Sequence, residues 1–183
     1  MQFIYIHGFN SSSLSHKAQV FMQWCDANGH NCICHDLPHR PANAISLLSE
    51  SIMACEEQPK LVGSSLGGFY TTVLAEKFSL KGVAINPAVH PGLRLRAALG
   101  PQTSWHGDYE YEFTQEHLDE LIAMDMHSIT QPDNILMMQE REDETLDWTE
   151  AVAFYRECHQ LVFRGGHHGF SRFDDVLELI ERF

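Results

Sequence analysis

Long apolar runs are missing from this 183-residue chain. None approaches the roughly 20 residues that a bilayer-spanning helix needs, so a membrane-embedded protein is not expected. Basic residues are scarce, with 12 Lys and Arg against 25 Asp and Glu, a net charge of −13. An acidic surface is repelled by phosphate backbones and by anionic lipid, so neither nucleic acid nor a membrane surface is an expected partner. Cysteine is limited to five residues, an odd number in a chain large enough to fold without staples. These read as reduced thiols, and a cytoplasmic location is the expectation. The first strand pattern opens at Gln2 or Phe3, which leaves no room for a signal or transit peptide. Internal repeats, low-complexity tracts and a domain boundary are likewise absent. With 44% apolar residues, a single domain over residues 1–183 is expected.

What is present alternates. Short apolar runs recur at Phe3 to His7, Asn31 to His35, Lys60 to Gly63, Gly82 to Asn86, Asn134 to Gln139 and Gln160 to Arg164. Most are continuous, as parallel strands covered on both faces should be. Between them lie stripes at helical spacing. These are Leu14, Ala18, Phe21, Met22 and Cys25, stopped by Asn28-Gly29, then Ile45, Leu48 and Ile52, then Leu66, Phe69, Tyr70, Val73 and Leu74. Trp148, Val152 and Tyr155 form another, and Phe173, Val176, Leu177 and Ile180 the last. The alternation implies an α/β fold around a parallel sheet of six strands.

Residues 88–131 break the rhythm. No clear strand stands out there. The stretch holds Pro91, Pro101 and the aromatic residues Trp105, Tyr109, Tyr111 and Phe113. An excursion of that length is usually functional or carries its own helices. It reads as a cap insertion over the site, with a helix near Gln115 to Met126 and aromatics lining a pocket. Arg94 and Arg96 read as solvated helix charges. The alternative is that they hold an anionic group at the pocket mouth.

The chemistry is concentrated in Leu61-Val62-Gly63-Ser64-Ser65-Leu66-Gly67-Gly68. This is a strand end, a G-x-S-x-G turn and a helix start, which presents the central serine above the sheet edge. That residue is Ser65, the candidate nucleophile. Gly63 and Gly67 allow strand and helix to approach closely. A serine hydroxyl needs a base to take its proton and an acid to orient the base. The last strand runs into Gly165-Gly166-His167-His168-Gly169-Phe170, which supplies two candidate bases. The strand before it runs into Glu140-Arg141-Glu142-Asp143-Glu144-Thr145-Leu146-Asp147, which supplies five candidate acids. Asp147 with Glu150 also forms a D-x-x-E capping box for the following helix. Most of this charge run is expected to be a solvated face.

The first strand ends in Tyr5-Ile6-His7-Gly8-Phe9-Asn10. Acyl transfer develops negative charge on a carbonyl oxygen, which preorganised backbone N–H groups stabilise. The candidate donors are the amides of Phe9 and of Leu66, the latter at a helix N-terminus. His7, Gly8 and Trp105 are candidate substrate-binding residues, and His7 is also read as a hydrogen-bonding support for the loop.

These segments together resemble the α/β-hydrolase superfamily, and more narrowly the small bacterial YqiA-like esterases. The resemblance rests on Tyr5 to Ser12, Leu61 to Tyr70, Asn86-Pro87-Ala88-Val89, Asp143 to Asp147 and Gly165 to Phe170. It covers nearly the whole chain. It implies strand order 2-1-3-4-5-6, Asp143 as the acid and His168 as the base. Thr145 stands where the superfamily's D-x-V-[VL] pattern has valine. Some relatives have lost the nucleophilic serine, and this chain keeps Ser65. The implied activity is cleavage of small-molecule carboxylic esters or acyl thioesters, with acyl-CoA among the options, through an acyl-serine and without a cofactor. A non-catalytic scaffold that binds a ligand or protein is the competing class.

His30-Asn31-Cys32-Ile33-Cys34-His35 is the one cluster with metal-ligating residue types. A structural zinc site needs a second matching pair, which is missing. Cys32 and Cys34 are therefore expected to be small apolar residues on one face of a buried strand, and no metal is expected.

Overall fold

The computed structural model describes residues 1–105 and 109–183. Its elements run β1 (Gln2–Ile6), α1 (His16–Ala27), β2 (Asn31–Ile33), α2 (Pro41–Ala54), β3 (Lys60–Ser64), α3 (Leu66–Phe78) and β4 (Gly82–Ile85). There follow α4 (Pro91–Arg94), β5 (Gly100–Thr103), β6 (Glu110–Phe113), α5 (Gln115–Met124), β7 (Ile135–Glu140), α6 (Trp148–Phe154), β8 (His159–Phe163) and α7 (Leu177–Arg182). The main sheet has six strands in the order β2-β1-β3-β4-β7-β8, and every pairing is parallel. With β5 and β6 set aside, this is the expected order.

The continuous apolar runs are explained by a core on each face of the sheet. Along the strands, side chains alternate between the two. Ile4, Ile6, Leu61, Ala84, Ile135 and Met137 pack under α2, α3, α5 and α6. Phe3, Tyr5, Val62, Val83, Ile85, Leu136 and Met138 pack under α1 and α7. Each fully buried Phe or Ile contributes roughly 2 kcal/mol by removal from water. β7 is buried along all six residues, so its C-terminal end is a rigid place from which to hang functional groups.

Two expectations need correction. The stretch 88–131 does contain strands, because β5 and β6 form an antiparallel pair separate from the main sheet. β2 is short and lies at the sheet edge, and none of its three residues is fully buried. Cys34 lies beyond its end. Cys32 and Cys34 are half-buried against the α1 side of the core. Burial pushes the Cys34 thiol up to about 12. Among the described residues, no helix is long and apolar enough to cross a membrane.

Candidate active site

Ser65 is the single residue between β3 and α3. Its backbone adopts φ 58° and ψ −122°, a sparsely populated region that costs on the order of 1–3 kcal/mol. Four hydrogen bonds hold it there. The Ser65 N–H donates to Ile85 O at 3.0 Å, and its carbonyl accepts from the amides of Gly68 (2.9 Å), Phe69 (3.3 Å) and Ala88 (3.0 Å). The flanking glycines are steric requirements. A Cβ on Gly67 would lie 2.0 Å from Ile6 O, and one on Gly63 would lie 2.1 Å from Gly67 O. The backbones of β1, β3 and α3 therefore touch beneath the serine. Both Ser64 and Ser65 border an open cleft, but Ser64 is buried and Ser65 is partly exposed in it.

His168 Nε2 lies 3.0 Å from Ser65 Oγ. Its Nδ1 lies 2.8 Å from Asp143 Oδ2 and 3.0 Å from Oδ1. Asp143 Oδ1 also accepts the amides of Thr145 and Leu146, each at 2.9 Å. Those two bonds orient a carboxylate whose side chain is fully buried. Burial alone pushes the Asp143 pKa up, but the His168 and backbone N–H bonds outweigh it and hold the group below the ordinary aspartate value. The arrangement offers a serine a path for its proton onto an imidazole braced by a carboxylate.

The neighbouring residues of each kind are placed differently. His167 is exposed, and its Nδ1 accepts the Gly169 amide at 3.0 Å. Glu144 accepts the His168 N–H at 3.0 Å. Asp147 caps α6, accepting the Thr149 N–H at 2.9 Å and its hydroxyl at 2.7 Å. The reciprocal half of the capping box is replaced, because the Glu150 carboxylate pairs with Arg94. Arg96 is exposed.

On the opposite side of Ser65, a Cβ on Gly8 would lie 3.3 Å from Ser65 Cβ, so the loop after β1 runs against the serine. Among the described residues, neither the Phe9 nor the Leu66 N–H donates to a protein acceptor. His7 is buried and its ring is bound to backbone. Nε2 accepts the Leu37 N–H at 3.1 Å, so the ring proton sits on Nδ1, which donates to Gly8 O at 2.9 Å.

Four further residues complete the site. Glu140, one of the five candidate acids in a run expected to be mostly solvated, is fully buried and accepts hydrogen bonds from His167, Ser171 and Arg172. Burial raises its pKa, but bonds from Ser171, His167 and Arg172 win and take it down to about 2. Asn86, also buried, donates from Nδ2 to the carbonyls of both His167 and His168. Asn10 ties the loop after β1 to the β5–β6 hairpin. Its Nδ2 donates to Gln102 Oε1 at 2.9 Å, its Oδ1 accepts the Tyr111 hydroxyl, and its carbonyl accepts the Trp105 N–H at 2.8 Å. Lys17 Nζ donates to Gly169 O at 2.9 Å, and burial lowers its pKa to about 8 against the raising effect of Asp143 and Glu140. The signal for Glu140 and Asn86 was their place at the C-terminal ends of neighbouring central strands.

The cleft above Ser65 encloses about 720 Å³. Its walls include His7, Gly8, Phe9, Leu66, Ala88, Pro91, Leu95, Trp105 and Leu146, with Lys17 and Arg94 as its only Lys and Arg among the described residues. The aromatic cluster of 88–131 does not act as one wall. Trp105 borders the cleft, but Tyr109 and Tyr111 line a separate small recess with His39. Phe113 is buried and packs edge-on against Phe9, with ring centroids 5.2 Å apart. Among the described residues, no group of three or more His, Cys, Asp or Glu is arranged to hold a metal ion.

A parallel sheet with a serine on a strained strand-to-helix turn, and a histidine loop beside it, defines the α/β-hydrolase fold. The chain belongs to the uncharacterised protein family UPF0227, which it matches over residues 2–183. Solved structures share the fold at low identity. Mouse alpha/beta hydrolase domain-containing protein 10 superposes with a TM-score of 0.76 at 19% identity, over 99% of this chain and 87% of that one. Est1E from Butyrivibrio proteoclasticus gives 0.73 at 16%, over 100% and 86%. A monoacylglycerol lipase from Paleococcus ferrophilus gives 0.73 at 14%, over 98% and 93%.

Proposed function

We propose that the protein is a serine hydrolase that cleaves carboxylic esters or acyl thioesters through an acyl-serine intermediate. The observation that carries this reading is the unbroken line of contacts from Ser65 Oγ to His168 Nε2 at 3.0 Å and from His168 Nδ1 to Asp143 at 2.8 Å. Ser65 attacks the substrate carbonyl as His168 takes its proton. The oxyanion that forms is received by the amides of Phe9 and Leu66, each donor worth about 10²–10³ in rate. His168 then protonates the departing alcohol or thiol, and afterwards activates the water that releases the acid. Asp143 keeps the imidazole proton on Nδ1, so Nε2 is free to accept. The sharing of this fold with a monoacylglycerol lipase supports an ester substrate.

The cleft volume of about 720 Å³ falls in the range of small-molecule sites. Residues 88–105 of the proposed cap supply one wall, and short to medium acyl chains are the expected preference. A panel of chromogenic esters and acyl thioesters of graded chain length, with a fluorophosphonate probe, tests the reading. The probe should label Ser65, and Ser65→Ala should stay folded while losing about 10⁶-fold in rate. Labelling that survives Ser65→Ala would overturn it. Side chains and backbone amides fill every role in these steps, so a chelator should leave the rate unchanged.

A further inference from the structure

The end of β7 delivers two carboxylates three residues apart. Asp143 reaches the imidazole of His168. Glu140 reaches the peptide chain that carries it. We propose that Glu140, together with Asn86, is the positioning group of this site, clamping the backbone on both sides of His168 so that its ring stands between Asp143 and Ser65. The inference rests on the serine-hydrolase reading and adds to it the residues that make the geometry hold.

The contacts converge closely. Glu140 Oε2 accepts the His167 N–H at 2.8 Å and the Ser171 N–H at 2.9 Å. Its Oε1 accepts the Ser171 hydroxyl at 2.7 Å and Arg172 Nε at 2.8 Å. From the other side, Asn86 Nδ2 donates to His167 O and His168 O, each at 3.1 Å. Asn86 Oδ1 accepts the Glu140 N–H at 2.9 Å, which joins the two halves of the clamp. The loop is wrapped tightly round the carboxylate, since a Cβ on Gly166 would fall 1.9 Å from Glu140 Oε2.

Two features separate this from general scaffolding. First, both Glu140 and Asn86 are fully buried, and a buried charge is retained only where its partners compensate its lost hydration. Second, both Asn86 bonds fall on the two peptide groups that flank His168, and Glu140 holds the N–H of the peptide group just before them, so a shift of either partner moves the imidazole. Asp143 alone cannot prevent this, because a carboxylate can follow a drifting ring while the distance to Ser65 Oγ opens. A misplacement of about 1 Å can cost on the order of 10²-fold in rate.

Glu140→Gln keeps the shape, removes the charge and turns one acceptor into a donor facing the donors of His167, Ser171 or Arg172. Three readouts are taken on the full-length protein. They are kcat and KM on a short chromogenic ester, the rate of fluorophosphonate labelling, and the low-field proton resonance of the His168 Nδ1–H bonded to Asp143. The expected result is a kcat lower by about 10²-fold with KM nearly unchanged, labelling slowed in parallel, and the resonance broadened or lost. If Glu140→Gln does not fold, Ser171→Ala removes one donor and leaves the carboxylate in place. It should move the same three readouts in the same direction by less. A folded variant with wild-type kcat, labelling rate and resonance overturns the proposal. The resonance needs no substrate, so it tests the clamp even if the wild-type protein cleaves none of the esters, the outcome that would instead overturn the hydrolase reading.

Discussion

At Ser65 the strained φ of 58° is held by four backbone hydrogen bonds, and the hydroxyl then needs only an acceptor in the right place. His168 occupies that place, and Asp143 fixes its tautomer. Asp143→Asn should therefore leave the circular dichroism spectrum intact and lower kcat by about 10⁴-fold, because the amide favours the wrong imidazole tautomer. Asp147→Ala should do the reverse. It removes a helix cap, so thermal melting should fall slightly while kcat is unchanged. Glu140 makes a pH prediction. Its folded pKa of about 2 lies below the ordinary 4.5, so the stability it contributes is complete above about pH 4.5 and is lost as the pH falls towards 2. Denaturant midpoints measured across that window should fall more steeply for the wild type than for Glu140→Gln. In the sequence, the G-x-S-x-G turn singled out Ser65, but the loops after the last two strands left five carboxylates and two histidines open, and only the family resemblance pointed to Asp143 and His168. Glu140 and Asn86 were legible only as residues at the ends of central strands, because what makes them anchors is burial by distant chain segments, which spacing does not record.

Among the elements, the β5–β6 hairpin has the largest effect that periodicity did not foretell. Its strands have four residues each, one begins Gly-Pro, and only Phe113 is fully buried. Such short strands show too few alternations to register as a pattern. Yet the hairpin braces the loop that carries Phe9. Phe113 packs against the Phe9 ring, and Tyr111 donates to Asn10. Tyr111→Phe should thus lower kcat more than it raises KM in steady-state assays, since it loosens a proposed oxyanion donor. The six main strands and the longer helices were legible because a sheet covered on both faces demands unbroken apolar runs. β2 marks the limit of that logic, since an edge strand of three residues is only half covered. At the elbow, Gly67→Ala should destabilise the fold by about 3 kcal/mol in chemical denaturation, because the added Cβ meets backbone that cannot move aside.

On the scale of the whole molecule, the chain between β4 and β7 is fastened to the body by charge. Arg40 and the Ala42 amide bind Glu120, and Arg40 also binds Glu116, tying α5 to the start of α2. Arg94 and Glu150 tie α4 to α6. Among the described residues of this chain, those that face the cleft lie in its first part, where Trp105 is 72% exposed. A side chain so placed can touch a long substrate without shaping the reacting centre. Trp105→Ala should therefore raise KM for medium-chain esters and leave acetyl esters unaffected, as a chain-length series would show.

The direct pairing of β4 with β7 has a consequence for how such a molecule can diversify. Gly82 lies in register with Ile135, so some fifty residues of intervening chain leave and return at neighbouring strands. The sheet does not set the length of that detour, and lengthening a surface excursion costs little closure entropy. In descent or in the laboratory, its exposed turns are open to exchange, while Phe113, Leu118 and Leu121 stay to cover the core. A different insert could re-specify which molecules are admitted while the six strands and the residues hung from their ends stay as they are.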